Sequence, residues 1–192
     1  METYETLLAE VTEYAISHEK KERYEHSVRT AATCAELCRR FGEDEQKGFF
    51  AGIAHDICKE CGDMELISLA VKDGLPVSQI ERTKLSLLHG RAAATLLQEQ
   101  FGVTDPEIIE AVQHHTFGKA GMCNLAKLLY VADKIEPGRE HITEKYLKKT
   151  ENMSLNELVI FVLSENISYL QENGKKIAPA TQELLDSLVG CK

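Results

Sequence analysis

The chain has 192 residues, a net charge of −9, 43% apolar residues and four prolines. That is the size of one ordinary domain, and the acidic balance excludes a general affinity for nucleic acid or anionic membranes. No apolar run approaches the roughly 20 residues of a membrane span. The acidic, amphipathic start METYETLLAEVTEYA is unlike a secretory signal, so the expected location is cytoplasmic.

Helical periodicity dominates, and no stretch alternates as a strand. The first predicted helix spans 3–15, with Leu7, Leu8, Val11 and Ala15 on one stripe. The next runs from about 18 to 41 and ends at Phe41-Gly42, where glycine suits the C-terminal cap. A shorter apolar helix over 44–58 carries Phe49, Phe50, Ile53 and Ala54, and Asp63 is the expected cap of a segment over 64–72. Gly74-Leu75-Pro76 then breaks the chain. Residues 84–101 place Leu85, Leu88, Ala92 and Leu96 on a stripe that ends at Phe101-Gly102. Thr104-Asp105-Pro106-Glu107 starts another helix, with proline in its first turn, that stops near Thr116-Phe117-Gly118. Helices over 124–135, closed by Glu136-Pro137-Gly138, about 154–172 and 178–189 complete an all-α bundle. No repeat or linker divides it, so a single domain over 1–192 is expected.

Several polar side chains stand where this pattern calls for apolar ones. His89 lies four residues after Leu85 and three before Ala92, and His55-Asp56 closes the apolar helix containing Gly52 and Ile53. Asp133 follows Leu129 by four and Ala126 by seven. A buried carboxylate without a partner costs several kcal/mol, and a metal ion removes that cost. In the pair His114-His115, the second residue continues the apolar face of Ile108 and Val112, while the first falls with Glu107 and Glu110 on the solvated face. His115 is therefore the expected ligand and His114 its neighbour. His26 sits at the edge of its helix's apolar face, above Thr30, Thr33 and Leu37. A lone histidine on such a face is more often a hydrogen-bonded core residue, which is the reading for His18 and His141. For the set as a whole, one shared metal site is simpler than several buried polar groups satisfied separately.

Six cysteines include the pair Cys58 and Cys61 in C-x2-C spacing, with Cys34 and Cys38 one turn apart upstream. Structural zinc is conceivable there, but without a second C-x2-C the simpler reading is small buried hydrophobes.

The ordered segments Arg23-Tyr24-Glu25-His26, His55-Asp56-Ile57-Cys58-Lys59, Leu88-His89-Gly90, His115-Thr116-Phe117-Gly118 and Ala132 to Arg139 resemble the HD-domain metal-dependent phosphohydrolases. Within that superfamily the chain looks most like the YqeK branch, the symmetrical bis(5'-nucleosyl)-tetraphosphatases of bacteria. The H-T-x-G and A-D-x-I-E-P runs make the resemblance specific, and it extends over about 15–170, with the last helices packing on that core. It implies an HD-domain helical bundle around a metal site with ligands His26, His55, Asp56, His89, His115 and Asp133. Having His89 and His115 between the doublet and the last aspartate is similar to the binuclear version of the fold. Two divalent metal ions are implied, iron first, with manganese or another divalent ion as the alternative. Two positions depart from the family pattern: an aromatic residue is common where His114 stands, and Lys134 replaces a frequent tyrosine.

The implied activity is hydrolysis of diadenosine tetraphosphate into two ADP, with a small-molecule dinucleoside polyphosphate as partner and neither nucleic acid nor membrane. Divalent ions lower the pKa of water toward neutrality. Asp56 is the expected catalytic bridging carboxylate, and Lys59, one turn after the doublet, reaches the phosphate chain. Arg139 beyond the Pro137-Gly138 turn and Arg23, one turn before His26, are expected phosphate contacts, together with Thr116, Gly118 and Lys119 beside His115. The alternatives are an HD phosphatase acting on other nucleotides, oxygen chemistry at paired iron, and a nucleotide-polyphosphate sensor without turnover. The acidic end helices leave a homodimer open.

Overall fold

The structure, a computed structural model, describes residues 4–190. The described elements are helical throughout, with no strand among the described residues. In chain order they are α1 (Tyr4–His18), α2 (Lys21–Phe41), α3 (Glu45–Ala54), α4 (Asp63–Ala70), α5 (Gln79–Thr83), α6 (His89–Glu99), α7 (Pro106–His114), α8 (Asn124–Ile135), α9 (Glu144–Thr150), α10 (Leu155–Glu172) and α11 (Pro179–Val189). Short 3-10 turns at Val71–Asp73 and Leu85–Leu88 lead out of α4 and into α6.

The helix ends follow local chemistry. Asp44 accepts hydrogen bonds from the amides of Gln46 and Lys47, and Asp105 from those of Glu107 and Ile108, just ahead of Pro106. Ser78 with Glu81 and Ser154 with Glu157 form reciprocal capping boxes. Gly42, at φ 76°, ends α2 in the left-handed conformation that glycine adopts most easily.

α8 is the axis of the bundle. Most of its residues are buried, from Leu125 to Ile135, as suits a helix surrounded by others, and α2, α3, α7 and α10 all pack on it. α2 and α3 share the most extensive pairing and pass closest at Gly52, where a β-carbon would overlap the backbone of Ala31. That approach brings His26 on α2 to the end of α3. α6 packs between α4 and α7. A β-carbon on Gly90 would stand 3.0 Å from Cε1 of His115, so the glycine lets that ring lie flat against α6.

Three of the expected helices are bounded differently in the structure, and two short helices were not expected. The helix expected over 44–58 stops at Ala54. Were it to continue, the Gly52 carbonyl would accept from the Asp56 amide; instead Nδ1 of His55 donates to it at 2.7 Å. Tight turns then follow, with Lys59 N donating to Asp56 O at 2.7 Å and Cys61 N to Cys58 O at 3.2 Å. Successive residues of a helix diverge by about 100°, whereas this turn lets His55 and Asp56 face one centre. The helix expected over 84–101 is split in the same way, α6 beginning only at His89. Asp63 is the first residue of α4 rather than its cap, which is Gly62. α5 and α9, of 5 and 7 residues, are too short to leave a periodic signal. Residue 3, the expected start of the first helix, lies outside the described residues.

Candidate metal centre

His26 projects from α2, His55 and Asp56 from the turn after α3, His89 from the first position of α6, His115 from the end of α7, and Asp133 from α8. All six side chains converge. Asp56 lies between two histidine pairs, one carboxylate oxygen to each. Its Oδ2 is 3.6 Å from Nε2 of His55 and 4.0 Å from Nε2 of His26. Its Oδ1 is 3.0 Å from Nε2 of His89 and 3.7 Å from Nε2 of His115. Asp133 Oδ1 closes the first group, 3.1 Å from His26 Nε2 and 3.8 Å from His55 Nε2.

The partners of the other ring nitrogens fix the tautomers. Nδ1 of His55 donates to the carbonyl of Gly52 at 2.7 Å, Nδ1 of His89 to that of Ser86 at 2.7 Å, and Nδ1 of His115 to that of Val112 at 2.8 Å. Nδ1 of His26 donates to Oε1 of Glu136 at 3.1 Å. With the hydrogen on Nδ1, each ring turns an Nε2 lone pair inward. The Nε2 atoms of His89 and His115 stand 2.9 Å apart, and those of His26 and His55 3.3 Å apart, with no hydrogen to share. Buried Oδ1 of Asp56 has no hydrogen-bond partner. Facing lone pairs and an orphaned carboxylate oxygen repel one another, and cations between them remove the repulsion. The donor set thus fits divalent metal, in two groups that share Asp56.

The electrostatics agree. Burial pulls the imidazole of His55 down to about 4 and lowers that of His115, keeping both neutral near pH 7. Burial alone would raise Asp56, but the surrounding His55 and His89 hold its carboxyl well below the usual range. Asp133 is held low in the same way, with Lys134 leading the groups that outweigh its burial.

A matching family model adds to this geometry: the HD domain model covers residues 23–138, more than half of the chain. The chain belongs to the HD-domain family. It is 32% identical over 159 residues to the symmetrical bis(5'-nucleosyl)-tetraphosphatase of Bacillus subtilis (strain 168), covering 83% of this chain and 85% of the relative. To the symmetrical bis(5'-nucleosyl)-tetraphosphatase of Halalkalibacterium halodurans it is 28% identical over 172 residues, covering 90% and 91%. Among solved structures, a predicted HD superfamily hydrolase involved in NAD metabolism from Clostridium acetobutylicum is similar with a TM-score of 0.88, at 28% identity and over 100% of both chains.

In this HD domain four of the six donors, Asp56, His89, His115 and Asp133, line a cavity of about 250 Å³. Four cations line it, Arg23, Lys59, Lys134 and Arg139, with Thr116 beside them. Arg23 Nη1 donates to Asp56 Oδ2 at 2.9 Å, and Arg139 Nη2 to Asp133 Oδ1 at 2.7 Å. Lys59 Nζ donates to the lone pair of His89 Nε2 at 3.0 Å. Thr116 Oγ1 is 3.4 Å from Nε2 of both His89 and His115.

Two expected substrate contacts lie elsewhere. Lys119 pairs with Glu110 at 2.9 Å and lines a separate cleft with His114. Gly118, at φ 74°, packs against Leu184 so tightly that a β-carbon would overlap it, and Thr181 Oγ1 donates to the Phe117 carbonyl at 2.8 Å. Gly118 therefore shapes the turn of Thr116 rather than lining the cavity. Among the described residues no potential ligand group includes a cysteine. Cys58 is buried, and burial together with its hydrogen bond to Cys61 pushes its thiol up.

Sequence reasoning missed the support of His26. Glu136 is 1% exposed. It receives Arg29 Nε at 2.6 Å and the Gly138 amide at 2.6 Å as well as the imidazole. Its signal was present, a glutamate at the helix end followed by proline and glycine. Lys134 was read only as a departure from the family pattern, although it lines the cavity.

Proposed function

We propose that this HD-domain protein is a metal-dependent hydrolase that splits diadenosine tetraphosphate symmetrically into two ADP. The observation that carries the proposal is the inward-facing donor set, four members of which line a cavity together with four cations. Two divalent ions are proposed, one held by His26, His55, Asp56 and Asp133, the other by Asp56, His89 and His115, with iron the first choice for imidazole and carboxylate donors and manganese the substitute. Such ions supply Lewis acidity toward phosphoryl oxygens and lower the pKa of water.

The protein's own residues do the rest. Asp56, with one oxygen toward each histidine pair, joins the two halves and sets their spacing. Arg23, Lys59 and Arg139 turn from their resting carboxylate and imidazole partners to the phosphate chain, where a guanidinium grips two oxygens at once. Lys59 is placed nearest the donors and balances charge developing on the phosphoryl oxygens. The similarity to symmetrical tetraphosphatases over most of both chains supports attack at the central phosphates. The proposed setting is the cytoplasm, with the chain acting as one domain; no helix among the described residues is long and apolar enough to cross a membrane.

The test is anion-exchange separation of products after protein purified without oxygen and supplied with ferrous iron is incubated with diadenosine tetraphosphate. ADP as sole product is expected. AMP with ATP would overturn symmetrical cleavage, and metal-loaded protein giving no product would leave an HD phosphatase acting on other nucleotides or a nucleotide-polyphosphate sensor.

A further inference from the structure

We infer that Lys134 is a specificity-determining residue of this cavity, holding a phosphate beside the one that reacts and so favouring oligophosphates over monophosphates. The inference rests on the phosphoanhydride substrate proposed above. Nζ of Lys134 donates to the His115 carbonyl at 3.2 Å and to Asp133 Oδ2 at 3.3 Å, and it lies 3.8 Å from the centre of the Tyr130 ring. An ammonium group has three N–H donors. Two are committed to oxygen, which leaves one for a ligand in a side chain that lines the cavity.

The other cations of the cavity are placed differently. The Arg23 and Arg139 side chains are 31% and 37% exposed, and Lys134 only 18%. Lys59 rests on the Nε2 of His89, a lone pair that an ion would claim. Arg139 also holds a backbone carbonyl, that of Asp133 at 2.7 Å, but from a more exposed side chain. Lys134, beyond its share of the Asp133 carboxylate, is anchored by a backbone carbonyl and an aromatic face, for which neither an ion nor a substrate competes. The platform is itself fixed, since Tyr130 is fully buried and its hydroxyl accepts from Asn166 Nδ2 at 3.3 Å. A cation held still in a shielded position interacts with a phosphate far more strongly than a mobile one in water. Its anchorage to both Asp133 and the backbone of His115 places it between the two donor groups. There it meets a second phosphate of a chain whose neighbouring phosphate sits over the donors. A nucleoside monophosphate has no second phosphate to offer it.

The test compares wild type, Lys134→Gln and Lys134→Arg, each loaded with manganese. Metal content is measured by mass spectrometry, and ADP and AMP binding by calorimetry. The expectation is unchanged metal content in Lys134→Gln, ADP binding weakened about tenfold, AMP binding changed less than about threefold, and most of the ADP loss restored by Lys134→Arg. With diadenosine tetraphosphate as substrate, the loss in kcat/KM should fall mainly on KM. Unchanged ADP binding, equal weakening of ADP and AMP, or loss of metal in Lys134→Gln would overturn the inference while the hydrolase reading stands. If wild type binds neither ADP nor diadenosine tetraphosphate, the hydrolase reading fails and the role of Lys134 falls with it.

Discussion

His26 is held by a carboxylate 110 residues away in sequence, whereas His89 and His115 are each held by a carbonyl three residues before them in the chain. The first arrangement exists only when α2 has docked on the end of α8; the second forms as soon as its own turn does. The chemistry differs too. A carboxylate behind an imidazole raises its basicity and strengthens it as a ligand more than a carbonyl does. Asp133 adds a further donor to the His26 side, while the His89 side faces Lys59, Thr116 and the cavity. On the proposed two-ion reading, the His26 half retains an ion and the His89 half presents one to substrate.

The largest effect should come from the residue common to both halves. Asp56→Ala is expected to lower metal content on both sides and turnover by about a thousandfold or more. Full metal content by mass spectrometry would show that the halves are not joined through this side chain. Next comes the cavity half alone: His115→Ala should remove about one ion of two and cost about a hundredfold in turnover, with His114→Ala within about threefold of wild type. Equal damage from both variants would move the ligand assignment to the pair as a whole. The retaining half is sharpened by Glu136→Gln, which keeps the shape but weakens the support of His26. About tenfold weaker binding of one ion in a chelator titration is expected, with the other untouched. Weakening of both ions equally would erase the distinction between the halves.

The smallest effect is on the metal-free protein. His55, pulled down to about 4, and His115, also lowered, stay neutral in the fold, whereas the unfolded chain protonates both below about pH 6.5. The folded state then binds fewer protons, so stability is lost as pH falls through that window. Glu19 opposes them, because burial raises its carboxyl to about 7 and the folded state keeps a proton that the unfolded chain has released. With His114, also lowered by burial, three groups stand against one, so acidification costs about 1.4 kcal/mol or more per pH unit, or about 3 °C or more. Melting curves at pH 7 and pH 5 measure it, and Glu19→Gln should steepen the slope. A melting temperature that rises on acidification would mean that the histidines are not held neutral.

The positions of the proposed ligands were readable because a polar residue on an apolar stripe is conspicuous once the 3.6-residue period is known. Asp133 after Leu129 needed nothing more, and the same argument separated His115 from His114. His89, read from Leu85 on one continuous helix, in fact opens α6 behind a 3-10 turn that holds Leu85. What periodicity could not show is what the side chains do to the backbone. The imidazole of His55 takes a carbonyl that the helix would have used, so a helix expected to run to residue 58 ends at Ala54. It also could not show contacts made across the fold. Glu136 and Arg29 meet at 2.6 Å only after α2 and α8 pack. Lys119, close in sequence to His115, is drawn away to Glu110 by the turn that Gly118 permits. Nearness along the chain was a poor guide there, because one left-handed residue redirects everything after it.

The grip of α11 on that turn bears on the order in which the molecule is made. The last of the six converging donors is residue 133, so the whole set has been translated before α9, α10 and α11 emerge. Yet the turn of Thr116 is secured by Thr181 and Leu184. A nascent chain can gather its donors early, but it waits for α11 before the wall of the cavity beside them is fixed. Residues translated well after the last donor are thus the ones that finish the substrate's side of the centre.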